Sequence, residues 1–190
     1  YLQVGEQVTL EDLLYGLMLR SGNDAAVEIA VHVGGDEAHF VEMMNEKAKA
    51  LGMNNTLFRN PSGLDEADGG NISSAYDMAL LMRYAMQDET FARITSSKYY
   101  DMGTERWQNK NKLLFSYDKT TGGKTGYTKH AGRTLITTAS ADNLDSIVVT
   151  LGFSNDFAFH REKHEAQFQK YHSYMLLKKG TYHLQGYTFT

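Results

Sequence analysis

The chain has 190 residues, of which 42% are hydrophobic and 22% charged, and a net charge of −4. That suits one domain with a sizeable core, and the acidic balance, without any basic run, argues against a nucleic-acid binder. There is no cysteine, which excludes disulfides, thiolate metal sites and a cysteine nucleophile, and no apolar stretch approaches the ~18 residues of a membrane span.

The opening Tyr1-Leu2-Gln3-Val4-Gly5 has neither an initiating Met nor an apolar signal region, and it reads as a cut inside a larger sequence. Thr9, with Asp12 as a box-like partner, caps a helix carrying Leu10, Leu13, Leu14, Leu17 and Met18 at helical spacing. That helix should end near Arg20-Ser21-Gly22. A second is expected from about Asn23 to Val33, and a third runs from an Asp36 cap to Gly52. Residues 53–72 read as a long loop rich in Asn, Gly and the single proline, Pro61. Ser73 or Ser74 then caps a helix through Met86.

After about residue 95 the pattern turns to strands. Candidates are 97–103, 112–116, 123–129, 132–140 and 145–153, with Ala141-Asp142-Asn143 as a hairpin turn between the last two. A charged helix is expected over 157–177, followed by a strand-like or unstructured tail. Helices first, then an antiparallel sheet closed by a helix, is a layered mixed α/β (α+β) pattern. The chain divides into one incomplete domain over 1–178, with a helical region at 1–95 and sheet strands plus closing helix at 96–178. Residues 179–190 form a tail or the start of a following segment.

Two triplets carry chemistry. Ser21-Gly22-Asn23 sits at a helix–helix turn, where a hydroxyl and an amide can point into a cleft. Lys124-Thr125-Gly126 opens a strand 103 positions later. Gly122-Gly123 just before it permits close approach of a ligand or a neighbouring backbone. Either triplet alone is ordinary loop or strand sequence. In this order they are two of the three signatures of penicillin-recognising serine enzymes, the third being a Ser-x-x-Lys that holds the nucleophile.

The surrounding wording is more specific. The blocks Leu14 to Ala26, Phe58-Arg59-Asn60-Pro61-Ser62-Gly63-Leu64-Asp65, Ala75-Tyr76-Asp77-Met78-Ala79, Asn109-Lys110-Asn111-Lys112-Leu113-Leu114, and Gly123 to Thr128 with Ala131-Gly132 closely resemble D-alanyl-D-alanine carboxypeptidases, the low-molecular-mass penicillin-binding proteins. The resemblance covers residues 1 to about 175. It implies a β-lactamase/transpeptidase-like fold, with an antiparallel sheet flanked by helices and an all-helical region carrying Ser21. It implies a serine-type carboxypeptidase that trims the D-Ala-D-Ala end of peptidoglycan stem peptides through an acyl-enzyme, in cell-wall synthesis and cell shape. No cofactor or metal is implied. The partners are the stem peptide and β-lactam inhibitors, the location is extracytoplasmic or secreted, and any membrane association rests on segments outside this chain.

By the same resemblance, Ser21 relays a proton between a base lysine and the leaving D-alanine, and Asn23 holds that lysine and the substrate backbone. Lys124 keeps the site positive, Thr125 donates to the terminal carboxylate, Gly126 belongs to the same binding strand, and the Tyr127 N–H is half of an oxyanion hole. The nucleophile and its lysine are expected upstream of Tyr1, so that this chain alone is inactive. The one Ser-x-x-Lys present, Ser116-Tyr117-Asp118-Lys119, reads as a solvent-facing loop or strand end. A class A β-lactamase would call for Ser-Asp-Asn and a Glu-x-x-Leu-Asn loop, neither of which is seen. A catalytically inactive peptidoglycan-binding remnant is the other alternative.

Arg161 reads equally as a substrate-carboxylate ligand or as an exposed helix arginine. His160 and His164 have an i, i+4 metal-ligand spacing without a third ligand, and they read as part of a charged, solvated helix face.

Overall fold

The structure is a computed structural model that describes residues 2–67, 69–103, 105–174, 180–184 and 187–189. The first part is helical: α1 (Leu10–Tyr15), a π-helical turn (Gly16–Arg20), α2 (Asn23–Gly34), α3 (Glu37–Ala50), α4 (Ala75–Ala85) and α5 (Glu89–Ser96). The chain then forms a small hairpin, β1 (Tyr99–Asp101) with β2 (Arg106–Gln108), and a short helix, α6 (Leu113–Ser116). A three-stranded antiparallel sheet of β3 (Thr120–Thr128), β4 (Gly132–Ala141) and β5 (Leu144–Leu151) follows, in the order β3-β4-β5. It is covered by α7 (Asp156–Lys170), and the tail forms a hairpin of β6 (Tyr182–Leu184) with β7 (Tyr187–Phe189).

Local chemistry explains the element starts. Thr9 and Asp12 form a reciprocal capping box on α1. Asp36 caps α3, Ser74 caps α4 and Asp88 caps α5, each through its side chain to a backbone N–H three residues on. The β4–β5 turn is the two residues Asp142 and Asn143, both at positive φ (50° and 60°). That backbone twist suits a two-residue hairpin, and Asp and Asn tolerate it.

Several elements differ from the sequence reading. Residues 112–116 are not a strand: Leu113–Ser116 is a turn of helix whose Leu113 and Leu114 are buried. The helix α5 and the strand β2 are additional elements. The charged helix ends at Lys170 rather than at 177, and residues 175–177 lie outside the described residues, as does the proposed boundary at 178.

Two apolar clusters hold the helical region. One is Leu13, Ala25 and Ile29; the other is Tyr15, Leu19 and Ile94, with Tyr100 stacked on Tyr15 at 3.7 Å between ring centroids. A third cluster, Leu113, Tyr117 and Ala139 with Phe157 and Phe168, seats α7 on the sheet. The two sides of the sheet therefore have different neighbours. A Cβ on Gly122 would meet the Thr95 side chain of α5 at 2.6 Å, so glycine there lets α5 lie close on β3. Strand alternation then turns Lys124, two residues on, towards the same helical side. Thr137, paired with Gly123 in register, points the other way, onto α7.

Candidate active site

Ser21 owes its position to an irregular helix end. The π turn over Gly16–Arg20 closes with the Ser21 N–H donating to Leu17 O (3.1 Å) and the Gly22 N–H to Gly16 O (3.1 Å). Ser21 itself sits in the left-handed region (φ 60°, ψ 49°), an uncommon conformation for a residue with a Cβ and one that gathers at functional sites. The bend ends one helix and starts α2 two residues later. At this bend the hydroxyl meets Lys124 on β3, and the Lys124 Nζ donates to Ser21 Oγ at 2.5 Å. The same Nζ donates to the Thr125 carbonyl at 2.6 Å.

The ammonium is short of favourable partners. Burial, and secondarily the Lys110 charge, push its pKa down from 10.5 to about 8. Desolvation disfavours the charged form, and a like charge adds to that. A lysine in this state is near the balance between holding and releasing a proton at neutral pH, which suits acid–base work.

β3 is the edge strand of its sheet. The Gly123 N–H and carbonyl are both taken by the Thr95 hydroxyl on the side away from β4 (3.0 and 2.8 Å). Backbone polar groups alternate along a strand, so those of Thr125 and Tyr127 point to the same open edge. Thr125 is half-buried, while the Tyr127 side chain is exposed. A side chain at Gly126 would run into the Thr134 hydroxyl on β4, so a small residue is required there.

Ser21, Lys124 and Thr125 thus come together, with Gly126 and Tyr127 continuing the same edge. Asn23 begins α2 beside them; its side chain is exposed and hydrogen-bonds to no described residue. Arg161 lies apart. It is exposed on α7, with its guanidinium 5.6 Å from the Tyr117 ring centroid, and α7 covers the sheet face opposite Lys124. Ser116 is also apart: its Oγ donates to Lys112 O at 3.1 Å, and Lys119 is paired with Glu165 at 3.0 Å.

His160 and His164 correct the sequence reading. They are fully buried rather than on a solvated face. His160 bonds Thr137 through Nδ1 (2.7 Å) and Thr150 through Nε2 (2.9 Å). His164 bonds Thr137 through Nε2 (2.8 Å) and Ser146 through Nδ1 (2.7 Å). All four ring nitrogens are engaged by hydroxyls, and burial pushes both imidazoles down to about 4. The i, i+4 spacing was the visible signal; what it aligned was a neutral hydrogen-bond network.

Other residues gain roles that the sequence left blank. Asn60 and Asn71 fold the loop before α4. The Asn60 Oδ1 accepts the Gly63 N–H (2.7 Å), and the Asn71 Oδ1 accepts those of Arg59 (2.7 Å) and Asn60 (3.1 Å). Asp65 reaches from this loop to the β3–β4 turn and accepts the His130 N–H at 3.2 Å. Buried Asp77 accepts from Asn55 and Thr56.

Comparison with known proteins identifies the family of the chain. The family described as D-alanyl-D-alanine carboxypeptidase matches residues 1–155. The D-alanyl-D-alanine carboxypeptidase DacF of Bacillus subtilis is 40% identical over 159 residues, which is 81% of this chain and 40% of the relative. A crystal structure of a D-alanyl-D-alanine carboxypeptidase from Mycobacterium tuberculosis superposes with a TM-score of 0.80 at 32% identity, covering 87% of this chain and 66% of that one. A penicillin-binding protein from Listeria monocytogenes, solved in its cefotaxime-bound form, gives a TM-score of 0.75 at 28% identity, covering 84% and 66%. The fold is that of the penicillin-binding proteins it superposes on. The chain belongs to the D-alanyl-D-alanine carboxypeptidase family. It spans well under half of the DacF length.

Proposed function

We propose that the whole protein containing this chain is a serine-type D-alanyl-D-alanine carboxypeptidase, removing the last D-alanine of peptidoglycan stem peptides outside the cytoplasm. The carrying observation is the Lys124 Nζ to Ser21 Oγ contact of 2.5 Å, made between the two signature triplets. The nucleophilic serine and its base lysine come from a segment outside this chain.

The roles are those the family resemblance implies, and the Ser21–Lys124 contact supports them. The serine attacks the carbonyl of the penultimate D-alanine, and the Tyr127 N–H on the open edge of β3 receives the developing oxyanion. Ser21 hands its hydroxyl proton to the leaving D-alanine nitrogen. Asn23, beside Ser21, orients the base lysine and the substrate backbone. Lys124 and the Thr125 hydroxyl hold the terminal carboxylate, with Gly126 keeping the strand close to β4. β-Lactams present a carbonyl and a carboxylate to the same groups and acylate the same serine. Arg161, turned onto Tyr117, is assigned to packing.

The test is direct. The full-length protein is incubated with a peptide ending in D-Ala-D-Ala and released D-alanine is measured; a fluorescent penicillin adduct is then mapped by mass spectrometry. Release of D-alanine with an adduct on a serine outside this chain is expected. A folded full-length protein that releases none, or an adduct on Ser21 or Ser116, rejects the reading.

A further inference from the structure

The β1–β2 hairpin lies along the helix end that carries Ser21 and touches it at successive points. From β1, the Tyr100 hydroxyl donates to Asp12 Oδ1 (2.7 Å), and its ring stacks on Tyr15, the residue just before the π turn. From β2, the Trp107 ring covers Gly16 so closely that a Cβ there would lie 3.3 Å from ring carbon Cζ3. Further on, the Gln108 carbonyl accepts from Arg20 Nη1 (3.2 Å), and the Lys110 N–H donates to Leu19 O (3.2 Å). The contacts run the length of the π turn and stop at Ser21. The outer side chains of the hairpin, Tyr99, Asp101 and Arg106, are exposed.

A π turn needs such support. It holds one residue more than an α turn, and the last carbonyls of any helix lack partners within it. Here Leu19 O is satisfied from outside, by the chain just past β2. Ser21 follows at φ 60°, a conformation that a residue with a Cβ keeps only where its surroundings impose it. Gly16 itself has an ordinary helical backbone (φ −58°, ψ −45°). No turn requires a glycine there; the room taken by the Trp107 ring does. If the turn relaxed to an α-helix, one residue would drop out of it, and everything after would rotate by about 100°. The Ser21 hydroxyl would then leave Lys124.

We propose that Trp107 is a positioning residue for Ser21: its ring, seated on Gly16, holds the π turn in the form that aims Ser21 Oγ at Lys124 Nζ. This rests on the proton-relay role proposed for Ser21. In that relay the Oγ–H bond breaks and an N–H bond forms on the leaving D-alanine as its C–N bond breaks. A misplaced Ser21 therefore penalises a leaving group that must be protonated. A thiolate leaves without a proton and should be indifferent to the same displacement.

The test uses the full-length protein, a peptide ending in D-Ala-D-Ala, and the matching peptide with a thiol ester in place of its last amide. Trp107→Ala should lower kcat on the amide by roughly ten- to a hundredfold, the scale for a small misplacement of a reacting group. The KM and the thiol ester rate should change little, whereas a merely structural loss would lower both rates alike. Trp107→Phe, which keeps a ring over Gly16, should recover most of the amide rate. Gly16→Ala presses a methyl group on the ring without straining the backbone, and should give the same split, less strongly. Crystal structures should show Ser21 of Trp107→Ala out of the left-handed region and its Oγ beyond hydrogen-bond reach of Lys124 Nζ. If Ser21 keeps its conformation and that contact in Trp107→Ala, or if both substrates slow equally in the two variants, the proposal is overturned. If the contact is lost in Trp107→Ala but the wild type cleaves neither substrate, the positioning by Trp107 stands and the functional reading falls.

Discussion

The three-stranded sheet has a polar cluster on each face, and the two clusters are built on opposite rules. On the α7 face, Thr137 stands between His160 and His164, and Ser146 and Thr150 complete the chain. Every ring nitrogen has a partner and no charge is held. On the helical face, a half-buried ammonium faces one hydroxyl and one carbonyl and, among the described residues, no carboxylate. The serine it meets sits in strained backbone. A satisfied neutral network rigidifies the interface it belongs to, whereas an under-compensated charge costs stability and is available for chemistry. The proposed acyl-transfer site lies on the second kind of face.

The largest effect should come from Lys124. In the full-length protein, Lys124→Ala should lower penicillin acylation about a hundredfold, the ~3 kcal/mol commonly lost with one preorganised electrostatic group. Its melting temperature should hold or rise, because a poorly compensated buried charge is removed. Lys124→Arg should recover only part of the rate, since a planar guanidinium does not reproduce a compact ammonium. Near wild-type acylation by a folded Lys124→Ala protein would erase the contrast between the two faces.

The histidine face should respond the other way round. Thr137→Val removes the hydroxyl shared by two imidazoles and should cost about 2 kcal/mol in urea unfolding, the scale for buried groups left unpaired. Acylation per folded molecule should change little. A large rate loss without a stability loss would show that this network belongs to the site after all.

A smaller effect near neutrality is the acid response. Both imidazoles titrate at about 4 in the folded chain, against an ordinary 6.5. The unfolded chain therefore takes up these protons first, and stability falls as pH is lowered. Their contribution is intact above about 6.5, erodes between there and about 4, and changes no further below that. Unfolding midpoints measured from pH 7 to 4 should fall more steeply in wild type than in a His160→Gln/His164→Gln variant. Parallel slopes would mean that the two histidines do not titrate on unfolding.

The sequence made one face far more legible than the other. Ser21-Gly22-Asn23 and Lys124-Thr125-Gly126 could be paired because they are contiguous triplets in a fixed order, and the caps at Thr9 and Asp36 declared their helices locally. The π turn was not readable, since it depends on Gly16 lying under the Trp107 ring, 91 residues away by chain number, where a Cβ would approach that ring at 3.3 Å. Leu113–Ser116 read as a strand because four apolar or small residues fit either period; burial of Leu113 and Leu114 against the sheet decides for helix. His160 and His164 misled because their sequence neighbours are charged, whereas their bonding partners, Thr137, Ser146 and Thr150, come from two other strands.

The smallest effect expected is that of Arg161, and it tests which face the substrate uses. Its guanidinium lies over the Tyr117 ring, exposed to solvent, on the helix that covers the histidine network. A cation over an aromatic ring at an exposed site contributes ~0.5–1 kcal/mol. Arg161→Ala should therefore lower the melting temperature slightly, by ~1–4 °C for a domain of this size. If it does not touch the substrate carboxylate, the KM for a D-Ala-D-Ala peptide and the penicillin acylation rate should stay within about twofold, less than 1 kcal/mol of binding. Thr125→Val should raise KM in the same assay, because that hydroxyl is assigned to the carboxylate. A KM rise in Arg161→Ala comparable with that in Thr125→Val, at unchanged melting temperature, would put the arginine at the substrate and require α7 to present it around the sheet edge.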